Sequence, residues 1–214
     1  MHVYAFGSVC RGEITLDSDV DLLALVEGHD PRFSQHKYSI YSYKKIKKMW
    51  QDGSPFAWHL FLESRLLYGS DGEDFLQSLG APAKYQQYVA DCLKFLSVFE
   101  TAQNSLKQSR ESKVFDLSAA FLSIRNISTC YSLGVLGLPN FSRHAALSLV
   151  DGGLSLPLTP VSYGILERAR ILCTRSIGRD ISDAETDSVV EEFGKVDSWM
   201  RAIVEHARQY ERIH

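Results

Sequence analysis

The sequence of 214 residues has no excess of positive charge, no long apolar run and only four cysteines. Its formal net charge of -3 does not indicate a nucleic-acid-binding surface. No apolar run approaches the roughly 20 residues of a membrane-spanning helix, and no signal peptide is visible. The cysteines lie far apart without a Cys-x-x-Cys pair, which favours reduced thiols over a disulfide framework or a zinc site. We therefore expect a cytoplasmic protein whose partners include neither a membrane nor a nucleic acid.

Several well-known nucleotide and metal motifs are also missing. There is no Gly-Lys-Ser or Gly-Lys-Thr, which excludes a P-loop, and no Gly-x-Gly-x-x-Gly to indicate a dinucleotide site. The stretch Asp-Ser-Asp-Val-Asp at 17–21 begins like a calcium-binding EF-hand loop. That loop requires Gly at its sixth position and Glu at its twelfth, where this chain has Leu22 and Gly28. An EF-hand is therefore excluded.

The character of the sequence changes near residue 80. Before that point, short apolar or alternating segments are separated by turn residues, as in strands that alternate with helices. Strands are predicted over 2–6, 20–26, 38–43 and 66–68, a helical turn over 44–50, and a helix entered through Ser54 and Pro55. These elements predict a small domain with a mixed sheet over residues 1–80.

After residue 80 the apolar residues recur mainly at steps of three and four. Helices are predicted over 85–106, 114–131, 161–176 and 183–210. Asp183 is predicted to begin the last helix, because short polar side chains cap unpaired N–H groups. The predicted fold class is therefore α+β, with a small mixed-sheet domain over 1–80 and an all-α helical bundle over 81–214.

Three aspartates stand at alternate positions directly before an apolar run. Alternate residues of a strand point to the same side, so Asp17, Asp19 and Asp21 are expected to converge. Val20 and Leu22 are then expected to face the core. Paired carboxylates at this spacing suit a hard divalent cation such as Mg²⁺, which keeps positions open for water or phosphate.

Gly7 and Ser8 follow the first predicted strand and complete the pattern. Glycine allows a close approach of the backbone, and free N–H groups together with the Ser8 hydroxyl can hold phosphate oxygens. A phosphate cradle beside a metal site built from paired aspartates is the combination that phosphoryl or nucleotidyl transfer requires.

The whole stretch resembles the motif of the DNA polymerase beta-like nucleotidyltransferase superfamily. The residues that carry the resemblance are Gly7, Ser8, Arg11, Gly12, Ser18, Asp19, Asp21 and Leu22. The resemblance covers residues 1–75 and is strongest to the minimal and antibiotic nucleotidyltransferases of bacteria. Such proteins often carry a helical C-terminal domain of the kanamycin nucleotidyltransferase or HEPN type, which implies that type for the bundle here.

The resemblance implies a role for each matching residue. Asp19 and Asp21 would act as catalytic metal ligands for Mg²⁺ or Mn²⁺. Gly7 and Ser8, assisted by Arg11, would bind the triphosphate of an NTP. Ser18 belongs to the same nucleotide-binding set. The implied reaction moves a nucleoside monophosphate from the NTP to a hydroxyl group of a small molecule or a protein, and a homodimer through the helical domain is a further expectation.

One departure from the family pattern leaves the activity open. Family members carry a third carboxylate on a later strand, and the position that aligns best here is Ser39. Glu63 is a substitute candidate, although its predicted helical position suggests a surface or capping role; Asp30 and Glu13 are loop candidates. The alternative to an active enzyme is therefore a weak or inactive nucleotidyltransferase fold that serves as a nucleotide-binding or partner-binding module.

Overall fold

The computed structural model describes residues 1–13, 20–149 and 153–213. The chain divides into two compact units, Met1–Gln86 and Gln87–His214. The described part of the first unit contains a four-stranded sheet and helices, and that of the second contains helices without a sheet. The predicted α+β class is confirmed.

The sheet of the first unit is mixed, as predicted. Its strands are β1 (His2–Phe6), β2 (Asp21–Leu25), β3 (Tyr38–Tyr41) and β4 (Ser64–Gly69). They are arranged in the order β3-β2-β1-β4. The central strand β1 is antiparallel to both β2 and β4, and β2 is parallel to β3. The end of β1 and the beginnings of the other three strands therefore lie together, at what we call the Phe6 end of the sheet.

Two helices follow β3 directly, and both begin at a serine cap. The hydroxyl of Ser42 accepts a hydrogen bond from the Lys45 N–H at the start of α1 (Tyr43–Gln51). The hydroxyl of Ser54 does the same at the start of α2 (Pro55–Glu63), where Pro55 occupies the first turn. The predicted helices are confirmed, and a third, α3 (Phe75–Ser78), forms one turn after β4.

Side chains from one face of the sheet pack against these helices and form the core of the first unit. The buried members of this core are Tyr4, Phe6, Leu23, Leu25, Ile46, Trp50, Ala57, Leu60 and Leu76. The Tyr4 hydroxyl donates to Asp74 Oδ1 at 3.0 Å and accepts from the Leu76 N–H at 3.0 Å. These bonds satisfy a buried polar group that would otherwise destabilise the core.

The prediction that Val20 faces the core is wrong, since this side chain is 54% exposed whereas Leu23 is fully buried. The register explains the difference. Phe6 pairs with Asp21, and residues directly opposite each other in an antiparallel pair share a face. Asp21 therefore lies at the exposed end of the same face that carries the core, and Leu22, which is half-buried, belongs to the other face.

The segment after α3 is bound to the first unit by two tryptophans. The indole N–H of Trp50 donates to the Gly80 carbonyl at 2.9 Å, and that of Trp58 donates to the Ala83 carbonyl at 3.0 Å. The Ala83 N–H in turn donates to the Trp50 carbonyl at 2.9 Å. Residues 80–83 are thus part of the folded unit.

The second unit consists of long helices that match the predicted ones to within a few residues. They are α4 (Tyr88–Gln108), α5 (Lys113–Tyr131), α6 (Pro160–Arg175) and α7 (Asp183–Ile213). The last turn after α5, Ser132–Leu136, widens into a π-helix. There Gly134 makes room for Tyr88, because a Cβ on this glycine would lie 2.4 Å from the Cβ of Tyr88.

The bundle core is mostly apolar, and hydrogen bonds hold several of the polar groups beside it. Phe99 of α4 and Phe193 of α7 are both fully buried, with ring centroids 5.0 Å apart. The indole N–H of Trp199 donates to the Leu154 carbonyl at 2.7 Å. Arg125 donates to the carbonyls of Phe141 and Ser142, so this arginine fixes the segment that follows α5.

The last helix begins at Asp183, as predicted, but the side chain that caps it belongs to the preceding residue, Ser182. The Ser182 hydroxyl accepts from the Glu185 N–H at 3.2 Å, and Glu185 Oε2 accepts from the Ser182 N–H at 2.9 Å. This reciprocal pair is a capping box. Hydrogen bonds from Ser182 and Arg168 lower the pKa of Glu185 to about 2, so the box stays ionised well below neutral pH.

Within the residues that the structure describes, no helix is both long and apolar enough to cross a membrane.

Replacing Ser182 by alanine tests the capping box. We expect Ser182→Ala to lower the free energy of unfolding by about 1 kcal/mol, because the first turn of α7 loses a hydrogen-bond acceptor. Asp183→Ala is the matched control and should cost less, since Asp183 lies in an exposed ion pair with Lys113. Urea unfolding followed by circular dichroism measures both, and a larger loss for Asp183→Ala would contradict the assignment.

Candidate functional site

The Gly-Ser motif forms a tight turn at the Phe6 end of the sheet. Residues Gly7–Arg11 make a short 3₁₀ helix directly after β1. Gly7 has a φ of 77° and Gly12 a φ of 75°, a left-handed conformation that costs other residues roughly 1–2 kcal/mol. Glycines at both ends therefore allow the chain to leave β1, turn once and continue.

Asp21 lies beside the first residue of this turn. It pairs with Phe6 across β1 and β2, so its side chain rises beside Gly7. A Cβ placed on Gly7 would lie 2.8 Å from Asp21 Oδ2. The absence of a side chain at Gly7 is thus what leaves room for the carboxylate beside the turn.

The other predicted residues of the acidic motif are not described. Asp17, Ser18 and Asp19 lie outside the described residues, so the convergence of the aspartates stays a prediction. Ser8, the second residue of the 3₁₀ helix, is half-buried and follows Gly7 at the same end of the sheet. The structure thus brings together Gly7, Ser8 and Asp21 from the predicted set.

Ser39, the residue at the expected position of a third acid, lies on the neighbouring strand. The parallel register of β2 and β3 places it beside Leu23, two residues beyond Asp21 and on the same face. Ser39 is exposed. An acid at this position would therefore share the sheet face with Asp21, whereas the serine contributes only a neutral hydroxyl.

Arg11 lies between two acids at the end of the 3₁₀ helix. Its Nε donates to Glu13 Oε2 at 3.0 Å, and its NH2 group lies 2.9 Å from the same oxygen. Its NH1 group donates to Glu63 Oε2. The same Glu63 oxygen lies 2.9 Å from Nε2 of His59, one helical turn earlier in α2.

The surface role suggested for Glu63 is wrong, since this side chain is only 14% exposed. Burial raises its pKa, but the hydrogen bond and charge of His59, followed by the charge of Arg11, outweigh burial and lower the pKa overall. A lowered pKa means that the ionised form stabilises the fold. That contribution is present above the unfolded pKa of roughly 4.3 and is lost as the pH falls through the folded value.

Asp30, the remaining acid candidate, and Cys10 in the turn both have other partners. Asp30 binds Arg32 through both carboxylate oxygens, at 2.9 and 2.6 Å, in the exposed loop between β2 and β3. The Cys10 thiol in the turn donates to the Ala5 carbonyl at 3.4 Å, and burial raises its pKa. Neither residue is therefore prepared for metal binding or nucleophilic attack.

Of the three aspartates in the acidic motif only Asp21 is described, and its surroundings fit a hard divalent cation. Asp21 offers an exposed carboxylate beside a turn in which a side chain at Gly7 would fill the space. Oxygen ligands of this kind suit Mg²⁺. The described residues contain no group of three or more acidic, histidine or cysteine side chains that could hold a metal by themselves. A metal site here would need a ligand from outside the described residues, and Asp19 stays the predicted one.

The sequence interpretation missed the partnership of His59, Glu63 and Arg11. His59 and Glu63 stand four residues apart in a predicted helix, a spacing at which side chains meet. This spacing alone could have predicted the contact between His59 and Glu63. The contact with Arg11 spans 52 positions and depends on how α2 returns to the turn, which no local pattern reveals.

A comparison with protein families agrees with this geometry. Residues 2–75 match the family model of the nucleotidyltransferase domain. The match supports the nucleotidyltransferase superfamily for the first unit, with nucleotidyl transfer as its general activity. It ends before the helical bundle begins. A search of curated proteins finds no match.

Two glycine variants separate backbone strain from the contact with Asp21. Gly7→Ala and Gly12→Ala both force an alanine into a left-handed conformation, so each should lower the free energy of unfolding by about 1 kcal/mol. Only at Gly7 does the new Cβ meet Asp21, because no atom of the described residues lies within 4 Å of a Cβ on Gly12. The carboxyl resonance of Asp21 in an NMR spectrum should therefore shift in Gly7→Ala and not in Gly12→Ala. An equal shift in both variants would contradict the contact.

Proposed function

We propose that the protein is a metal-dependent nucleotidyltransferase that moves a nucleoside monophosphate from an NTP to a hydroxyl acceptor. The observation that carries the proposal is the contact geometry of Gly7 and Asp21, within a segment that matches the nucleotidyltransferase domain. A glycine turn at the end of a strand, with a hydroxyl and an adjacent carboxylate, can hold a triphosphate and its cation side by side.

Each residue has a distinct role in this proposal. The Gly7 backbone and the Ser8 hydroxyl bind phosphate oxygens, and Arg11 adds a positive charge beside them. Asp19 and Asp21 hold Mg²⁺ or Mn²⁺. A cation held there would supply positive charge to offset the triphosphate and the leaving pyrophosphate. The protein therefore contributes mainly position and charge, which account for most of the catalysis of phosphoryl transfer.

The acceptor is a hydroxyl group of a small molecule or a protein. Its identity depends on parts of the molecule outside the Gly7–Asp21 pair. The charge of -3 for the whole chain argues against a nucleic-acid acceptor. A homodimer through the helical bundle is part of the same proposal.

Ser39 favours a second candidate function. In the absence of a third acid, the site retains the means to bind a nucleotide but lacks a base to deprotonate the acceptor. General-base assistance is typically worth about 10²- to 10⁴-fold in rate. The alternative is therefore a weak or inactive nucleotidyltransferase fold that binds a nucleotide or a partner protein.

Removing the two aspartates tests the metal site. The double variant Asp19→Asn, Asp21→Asn should abolish Mg²⁺-dependent binding of a non-hydrolysable ATP analogue, because each change removes a hard ligand and a compensating charge. Isothermal titration calorimetry measures the affinity. Asp52→Asn is the control, since Asp52 pairs with Lys48 on α1 and should leave binding unchanged. Unchanged affinity in the double variant would rule out the proposed site.

Ser39→Asp tests which of the two functions applies. If Ser39 stands where a third acid belongs, the wild type should bind NTP but turn over slowly, and Ser39→Asp should raise NTP turnover about tenfold or more. Ser39→Asn is the control, because asparagine has nearly the size of aspartate but no charge, and it should not raise the turnover. Release of pyrophosphate from ATP measures the rate. Fast turnover by the wild type would instead indicate that another acid, with Glu63 as the first candidate, completes the site.

A further inference from the structure

The guanidinium of Arg11 is bound by two carboxylates with very different surroundings. Glu63 is 14% exposed and Glu13 is 49% exposed, while Arg11 itself is 19% exposed. Both acids contact the same planar group, Glu13 through Nε and NH2 and Glu63 through NH1. This asymmetry indicates that the two contacts serve different purposes.

The Glu63 contact is mostly shielded from water and lies at the end of a helix that packs in the core. Glu63 is the last residue of α2, whose Ala57 and Leu60 are fully buried in the first unit. A carboxylate at the C-terminal end of a helix is disfavoured by the helix dipole, so it requires compensation. His59, at 2.9 Å from Glu63 Oε2, and Arg11 provide it. The position of Glu63 is therefore fixed independently of any ligand.

The Glu13 contact is of the opposite kind. Glu13 follows Gly12 at the end of the turn, its side chain is half exposed, and its partner atoms form an edge of the guanidinium that suits two oxygens of one anion. Because water reaches the Glu13 side of this pair, we expect its contribution to approach that of a surface ion pair, about 0–1 kcal/mol. An incoming phosphate can therefore replace this carboxylate at low cost.

We propose that the two acids act on nucleotide binding in opposite directions. Glu63 is a positioning residue that holds Arg11 beside the Gly7–Ser8 turn, whereas Glu13 occupies the place of a phosphate and is exchanged for one when the triphosphate binds. This inference rests on the proposed function and adds to it a carboxylate that competes with the substrate. The exchange replaces one anion by another on Arg11 and requires no proton transfer.

The two glutamates carry the same charge, but their substitution should change the nucleotide affinity in opposite directions, which provides a sharp test. Glu13→Gln removes the competitor and should tighten binding of the Mg²⁺ complex of a non-hydrolysable ATP analogue about two- to fivefold, as expected for a pair with one water-accessible partner. Glu63→Gln releases Arg11 and should weaken binding about tenfold. Calorimetry measures both. Glu27→Gln is the control for net charge, because Glu27 follows β2 at the opposite end of the sheet and should change nothing.

A second background shows whether the effects pass through Arg11. In Arg11→Met, neither glutamate substitution should alter the affinity further, whereas a loss caused only by local unfolding near Glu63 would persist. If circular dichroism shows that Glu63→Gln is unfolded, Glu13→Gln in the wild type and in Arg11→Met still shows whether Glu13 competes with phosphate for Arg11. Inorganic triphosphate with Mg²⁺ is the second probe and should show the same pattern, since the contacts involve phosphate.

The possible outcomes separate this inference from the function it rests on. Wild-type binding with changes of the same sign in Glu13→Gln and Glu63→Gln overturns the inference and leaves the proposed function in place. If the effects of the two glutamate substitutions persist in Arg11→Met, the inference is likewise overturned and the proposed function stays in place. A wild type that binds neither the ATP analogue nor inorganic triphosphate overturns the proposed function and the inference together.

Discussion

The pairing of Phe6 with Asp21 is the constraint on which the rest of the candidate site depends. It joins the end of one strand to the beginning of the next, so the turn at Gly7 and the carboxylate of Asp21 become neighbours. Phe6 is buried in the core, which fixes this register from the inside. A slip by one residue would turn Asp21 to the other face and expose Leu23, a large loss of buried apolar surface. Core packing thus maintains the geometry of a site at the surface.

Much of the fold could be predicted because its signals are local. Apolar periodicity locates the helices of the bundle, and alternating segments between turn residues locate the strands of the sheet. The Gly-Ser motif identifies the turn before any contact is known. The error at Val20 has a physical reason: alternation states which residues share a face, but not which face the core covers. Only the pairing with β1 decides that.

The ion cluster around Arg11 shows what local patterns do not reveal. Its members come from a 3₁₀ helix, the loop after it and the end of α2. Their meeting depends on α2 returning to the Phe6 end just before β4 begins. The cap of α7 was missed for a smaller reason, since Ser182 and Asp183 are adjacent and equally suited to capping. The reciprocal bond with Glu185 selects Ser182.

The three indoles of the chain divide unequally between its two units. Trp50 and Trp58 both donate to carbonyls within residues 80–83 of the first unit, and Trp199 is buried in the bundle. Intrinsic fluorescence therefore carries a separate signal from each unit. With Trp199 replaced by phenylalanine, the remaining emission reports on the sheet-containing unit alone. Cooperativity between the two units then becomes a spectroscopic question that needs no external label.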